Sequence, residues 1–327
     1  MRWKRIKEAL LFLPMTAAFA LLLFRGETAA AAAQRGLDSC LHSVIPALFP
    51  FLVLTNLLLR SNLPRMLPDF LGRGFERLFH IRRTALPAFA AGLAGGYPTG
   101  AAAAAECCRL DLCSREEAER LLVFADNCSP GFLFGLVRMR LPGGVCHAFC
   151  LLLLQWVISA CLGVLLGIGR SVSQREAKAP AAAETSISGR FASSVASGGR
   201  SALMISAYVV FFSVFSAFLP ESALLRGTVE LTGGILLLKE SLLSEVAAAF
   251  LVGFGGLSVA CQVISALEGS GLSARLYLPF RFLHGLLMAL GTACLHFGVP
   301  YLLVFCCGSA AIVFFLKTCR KRAVSEI

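Results

Sequence analysis

The chain has 327 residues, of which 57% are hydrophobic and 15% charged, with a mean hydropathy of +0.77; soluble domains are about a quarter charged, so a soluble globular fold is excluded. The apolar runs are continuous rather than alternating, which favours membrane-spanning helices of roughly 20 residues over a β-barrel. The formal charge of +11 sits in short loops between those runs, the positive-inside pattern, with no basic stripe interleaved with aromatics that would mark nucleic-acid binding.

Residues 1–8 carry Arg2, Lys4, Arg5 and Lys7 ahead of the apolar run 10–24, and an alanine tract follows at 29–33. This has the shape of a secretory signal peptide; ahead of a membrane-embedded remainder it reads as a signal-anchor helix over 1–35, starting in the cytoplasm. A first transporter unit is expected over 36–169, a cytoplasmic Ala/Ser-rich linker over 170–200, and a second unit over 201–327. Further spans are predicted at 40–59, 119–137, 146–169, 201–219, 276–296 and 300–316. Two more apolar stretches, 84–108 and 244–268, are interrupted by glycine and read as re-entrant hairpins.

In 68–80, Phe70, Leu71, Phe75, Leu78 and Phe79 share one helical face, as in a helix lying among lipid headgroups, and 228–241 is a weaker counterpart. At an offset of 160 residues, Ala47 falls on Ala207, Phe51 on Phe211, Ala88 on Ala248, Gly95 on Gly255 and Gly96 on Gly256. The order of features repeats with them. The basic loops at 1–8, 60–83 and 170–200 all belong in the cytoplasm if segment 84–108 enters and leaves on one side, which inverts the two halves relative to each other. The predicted fold is therefore an all-α polytopic membrane protein with inverted repeats, each holding a re-entrant hairpin and a broken transmembrane helix. With both hairpins re-entrant, the count places the C-terminus outside, against the preference of Lys317, Arg320, Lys321 and Arg322 for the cytoplasm.

Three motifs interrupt apolar segments. Gly95-Gly96-Tyr97-Pro98-Thr99-Gly100 breaks the first hairpin and Gly253-Phe254-Gly255-Gly256-Leu257-Ser258 the second, where neither glycine nor proline sustains a helix. Unwound backbone inside a bilayer is tolerated only when buried in protein or lining a watery cavity, and a helix starting there aims free N–H groups at a polar or anionic solute. Close helix packing is the alternative role for these glycines. Asp126-Asn127-Cys128-Ser129-Pro130-Gly131 breaks the third span, either as a ligand site or as a proline kink satisfied internally. Arg281 either faces a solute or snorkels to the interface, His284 reads as a packed core histidine, and Gln262 and Glu106 lie on second hairpin arms.

The 13 cysteines fall mostly within apolar runs as small buried hydrophobes, and Cys107, Cys108 and Cys113 fit no zinc pattern. No metal site and no cofactor are expected. With no nucleotide loop and no catalytic triad, the chain reads as a secondary permease and not an enzyme.

The motifs Gly-Gly-Tyr-Pro-Thr-Gly-Ala at 95–101, Glu-Ala-Glu-Arg-Leu-Leu at 117–122 leading into Asn127-Cys128-Ser129-Pro130, and Phe-Gly-Gly-Leu-Ser-Val at 254–259 followed by Gln262 resemble the sporulation integral membrane protein YlbJ family, which carries the nucleoside recognition, or Gate, domain. That family is similar to concentrative nucleoside transporters, so the resemblance implies two hairpin tips and a broken helix converging on a central site. The substrate-contacting residues it implies are Gly95, Gly96, Tyr97, Pro98, Thr99, Gly100, Asn127, Ser129, Gly255, Gly256, Ser258, Gln262 and Arg281. It further implies a permease of the cell (inner) membrane, in spore formation the outer forespore membrane, moving dipicolinate, an aromatic dianion, from the mother cell. A nucleoside permease and a non-transporting membrane scaffold or gating partner remain open. The expected partners are a small anionic or nucleoside-like solute and the lipid bilayer, with no nucleic acid; a homo-oligomer stays open.

Overall fold

The computed structural model describes residues 15–59, 61, 68–172 and 186–297, and every regular element among them is helical. In chain order the helices are α1 (Met15–Phe24), α2 (Gly26–Ser39), α3 (Ile45–Leu59), α4 (Asp69–Phe79), α5 (Leu86–Gly95), α6 (Thr99–Arg109), α7 (Arg115–Ala125), α8 (Pro130–Gly135), α9 (Gly144–Gly167), α10 (Ile187–Ala217), α11 (Ala223–Val229), α12 (Leu231–Leu236), α13 (Leu242–Phe254), α14 (Gly256–Ala266) and α15 (Tyr277–Phe297). Four helical stretches among the described residues are long and apolar enough to cross a bilayer, or five if the pair meeting at Arg25 with a 98° bend is one span. The protein is thus an all-α, multi-pass membrane protein.

Its surface is that of a protein solvated by lipid. On α15, Leu278, Phe282, Leu286 and Leu290 recur every four residues and stay exposed, while Tyr277, Phe280, Arg281, His284 and Met288 on the other face are buried. Polar side chains turn inward because hydrocarbon offers them no hydrogen bonds. Helices α13 and α15 meet where both carry glycine: a Cβ on Gly253 would lie 2.6 Å from the Gly285 Cα. Helix α4 is held by its aromatic face, Phe75 and Phe79 stacking with Phe89 of α5 and Phe124 of α7 at centroid distances of 4.9–5.7 Å.

A five-residue π turn, Cys40–Val44, joins α2 to α3. The predicted boundary at residue 36 therefore falls inside a helix. Helix α10 lies antiparallel to this pair, because Gly36 faces Ser213, Cys40 faces the Ser206 carbonyl and Gly198 faces Val53. It also begins at Ile187, so helix occupies the last part of the predicted linker. Segment 228–241 is not an interfacial helix; it contains the end of α11 and all of α12, two short helices packed on each other.

Two rims can be told apart by their contacts. Arg120 donates to the Phe79 and His80 carbonyls at 3.2 and 2.6 Å, Arg82 pairs with Glu117 at 3.2 Å, and Arg109 donates to the Glu268 carbonyl at 3.1 Å. At the other rim, Glu245 meets His147 and His296. Both ends of α5–α6 lie at the first rim, since Arg82 and Thr84 contact the Asp111 and Leu112 carbonyls just beyond α6. That pair is a helical hairpin with both ends on one side, as a re-entrant segment requires.

The 244–268 segment differs from the expectation. Its start, Glu245, is at one rim and its end, Glu268, at the other, and Leu242–Ala266 forms a single candidate span of 25 residues. Two consecutive left-handed glycines, Gly255 and Gly256 with φ of 86° and 83°, break its hydrogen bonding without folding it back. Glycine in the middle of an apolar stretch reads the same in either case. The predicted span at 300–316 lies outside the described residues.

Candidate functional site

The interrupted backbones meet in the interior. Gly96 has φ 78°, and a Cβ there would lie 2.5 Å from the Ser129 Cβ; one on Gly100 would lie 2.6 Å from the Ala125 carbonyl oxygen. Glycine at these positions lets the hairpin tip nest directly against the α7–α8 break, as the packing role anticipated. The Tyr97–Pro98 peptide is cis.

Side chains from three regions close the hydrogen bonds that the breaks leave open. Arg281, 1% exposed, donates to the Asp126 carbonyl at 2.8 Å and the Val252 carbonyl at 3.5 Å, and its guanidinium carbon lies 5.2 Å from the centroid of the Tyr97 ring. Tyr97 donates its hydroxyl to the same Val252 carbonyl. The Asp126 carboxylate accepts from the Tyr277 hydroxyl at 2.6 Å and the Ala101 N–H at 3.3 Å. Asn127 donates to the Phe124 carbonyl at 2.8 Å and accepts from Ser159 at 2.6 Å, while Gln155 bridges both backbone groups of Cys128. His284 contacts the Gly253 carbonyl at 3.1 Å, in keeping with a packed core histidine.

Beside this network lies a cavity of about 520 Å³. One wall comes from the main core: Tyr97, Ser129, Phe132, Glu230, Thr232, Ser258, Val259 and Gln262. The other comes from the separate apolar cluster around Cys40, Leu52, Ala202, Ile205 and Val209, and presents His42, Ser43, Leu48, Ile205 and Val209. The cavity therefore follows the seam between two packed bodies. Ser258 and Gln262 project from the first turns of α14, with the Gln262 amide donating to the Ser258 hydroxyl at 3.2 Å.

Of the predicted site residues, Tyr97, Ser129, Ser258 and Gln262 line this cavity. Gly95, Gly96, Pro98, Thr99, Gly100, Gly255 and Gly256 shape the breaks behind it, Asn127 is taken up by the Phe124 carbonyl and the Ser159 hydroxyl, and the two terminal nitrogens of Arg281 by backbone carbonyls. Arg281 does not snorkel. Glu106 pairs with Arg109 at the rim, 3.3 Å away. Sequence reasoning passed over His42 and Ser43, whose π turn has no sequence signature, and Glu230, which caps α12 by accepting from the Thr232 and Gly233 N–H groups at 2.9 and 2.6 Å. An acidic residue within the apolar stretch 223–238 was the available signal.

A hairpin tip, two broken helices and a largely apolar cavity carrying a few polar groups thus meet inside a multi-pass membrane protein. The chain is 25% identical over 306 residues to the sporulation integral membrane protein YlbJ of Bacillus subtilis (strain 168), an alignment covering 79% of this chain and 75% of that protein. The resemblance carried by the three motifs thus extends over most of the chain. No family model and no solved structure matches.

Proposed function

We propose that this protein is a secondary permease acting in spore formation, moving dipicolinate from the mother cell across the outer forespore membrane. The relative with a sporulation role supports the setting, and the single observation carrying the transport reading is the cavity between two packed bodies, lined by Tyr97, Ser129, Ser258 and Gln262. Solute recognition falls to hydroxyl and amide groups and the N–H groups opening α14, because Arg281 is committed to carbonyls. Relative motion of the two bodies exposes the seam to one side and then the other. The protein acts without enzymatic chemistry, its partners being the solute and the bilayer.

The same reading includes an inverted repeat in a modified register. Hairpin α5–α6 then corresponds to α11–α12, broken span α7–α8 to α13–α14, and α9 to α15. This replaces the offset of 160 residues and retains the likeness to concentrative nucleoside transporters.

A second solute is favoured by one observation: among the described residues, Glu230 and several neutral polar groups line the cavity, and neither lysine nor arginine does. That chemistry suits a neutral nucleoside. Uptake of labelled dipicolinate and labelled uridine into proteoliposomes separates the readings. Saturable dipicolinate uptake that falls at least tenfold in Gln262→Leu is the expected result; uridine uptake alone selects the nucleoside permease. Absence of both, with pocket variants silent in spore formation, leaves a membrane scaffold.

A further inference from the structure

At the rim opposite Arg109 and Glu268, three side chains from three helices converge. His147 stands in the first turn of α9, Glu245 in the first turn of α13 and His296 in the last turn of α15. One carboxylate oxygen, Glu245 Oε2, meets His147 Nδ1 at 2.8 Å and His296 Nε2 at 3.0 Å, and the three ligand atoms lie within 4.8 Å of one another. The Glu245 side chain is 4% exposed, whereas His147 is 32% and His296 15% exposed, so the carboxylate is buried behind two rings that solvent reaches. The His147 ring packs over Gly143, where any Cβ would collide with it. Glycine at 143 therefore seats that ring.

We propose that His147, Glu245 and His296 form a binding site for a zinc-class divalent ion that ties α9 to α13 and α15. Two imidazoles and one carboxylate are a borderline-soft donor set, matched to zinc and its first-row neighbours, while magnesium and calcium require mostly oxygen ligands. Bonds of about 2.0–2.2 Å place neighbouring donors roughly 3.3 Å apart in a tetrahedron, so binding opens the two contacts by a few tenths of an ångström. The partly exposed His147 ring has room for this. Three protein ligands leave a fourth position for water. The ion joins a helix of the first half of the chain to two of the second, on the rim away from the cavity's hairpin α5–α6.

The test uses the purified full-length protein in detergent, stripped with a chelator and titrated with zinc. One equivalent is expected to bind and to raise the thermal midpoint, with magnesium and calcium inert. His147→Gln and His296→Gln each weaken zinc at least about tenfold, the size of loss that removing even a supporting partner produces in metal sites, and the double variant abolishes the thermal shift. The cobalt form shows visible bands without thiolate charge transfer, which separates this site from Cys146 next door. Unchanged zinc affinity in the double variant, a thiolate band, or no stoichiometric binding overturns the proposal and leaves Glu245 as an acceptor of two imidazole N–H bonds. Because His147 is partly exposed, its variant keeps the test decisive if Glu245→Gln does not fold.

Discussion

Arg281 shows how a buried cation finds partners that the sequence does not name. A cation inside an apolar segment draws attention because its burial in hydrocarbon is costly, and facing a solute or snorkelling to the interface were the two roles open to it. Its guanidinium instead holds the Asp126 and Val252 carbonyls, one at each break, and lies over Tyr97. Replacement by methionine leaves the buried Asp126 carbonyl without its donor, at roughly 1–3 kcal/mol, while the Val252 carbonyl keeps the Tyr97 hydroxyl. Arg281→Met is therefore expected to lower unfolding stability in detergent markedly, whereas Arg281→Lys, which reaches one carbonyl, loses less. A variant of unchanged stability but altered solute affinity would return Arg281 to the cavity.

Among the elements, hairpin α5–α6 depends on glycines that admit close backbone approach. At Gly96 a side chain meets both a left-handed φ of 78° and Ser129, while at Gly135 of α8 nothing lies within 4 Å of an added Cβ. Gly96→Ala is expected to destabilise by at least the ~1–3 kcal/mol typical of overpacking. Gly135→Ala is expected to be neutral or to gain up to about 1 kcal/mol in helix propensity. Chemical unfolding of the two variants side by side measures the contrast. Glycine content alone marked both segments as interrupted. It did not separate a hairpin from a crossing, because the same φ > 0 residues serve a tip such as Gly96 and a through-going break such as Gly255–Gly256.

For the whole molecule, the crossing of α13–α14 changes the parity of the chain. With 242–266 counted as a span and the span predicted from sequence at 300–316, outside the described residues, counted as another, Lys317 to Arg322 are expected in the cytoplasm, which their charge prefers. Alkaline phosphatase inserted after Lys239 is expected to be active, and after Glu268 inactive. A fluorescent protein fused at the C-terminus is expected to fold and fluoresce. Equal phosphatase activity at 239 and 268 would restore the re-entrant reading.

Composition, hydropathy runs and loop charges by themselves determined that this is a helical membrane protein, placed the spans at 146–169, 201–219 and 276–296, and marked which motifs interrupt helices. These are local quantities, governed by the transfer of apolar side chains and the cost of unpaired backbone. Only the tertiary structure decided that Asn127 and Arg281 close broken helices instead of lining the cavity, that His42 and Glu230 line it, and that 244–268 crosses. Each of those outcomes depends on which distant group satisfies a given carbonyl or carboxylate. Val252 and Asp126 are 126 residues apart in the chain, and only the fold brings both within reach of one guanidinium.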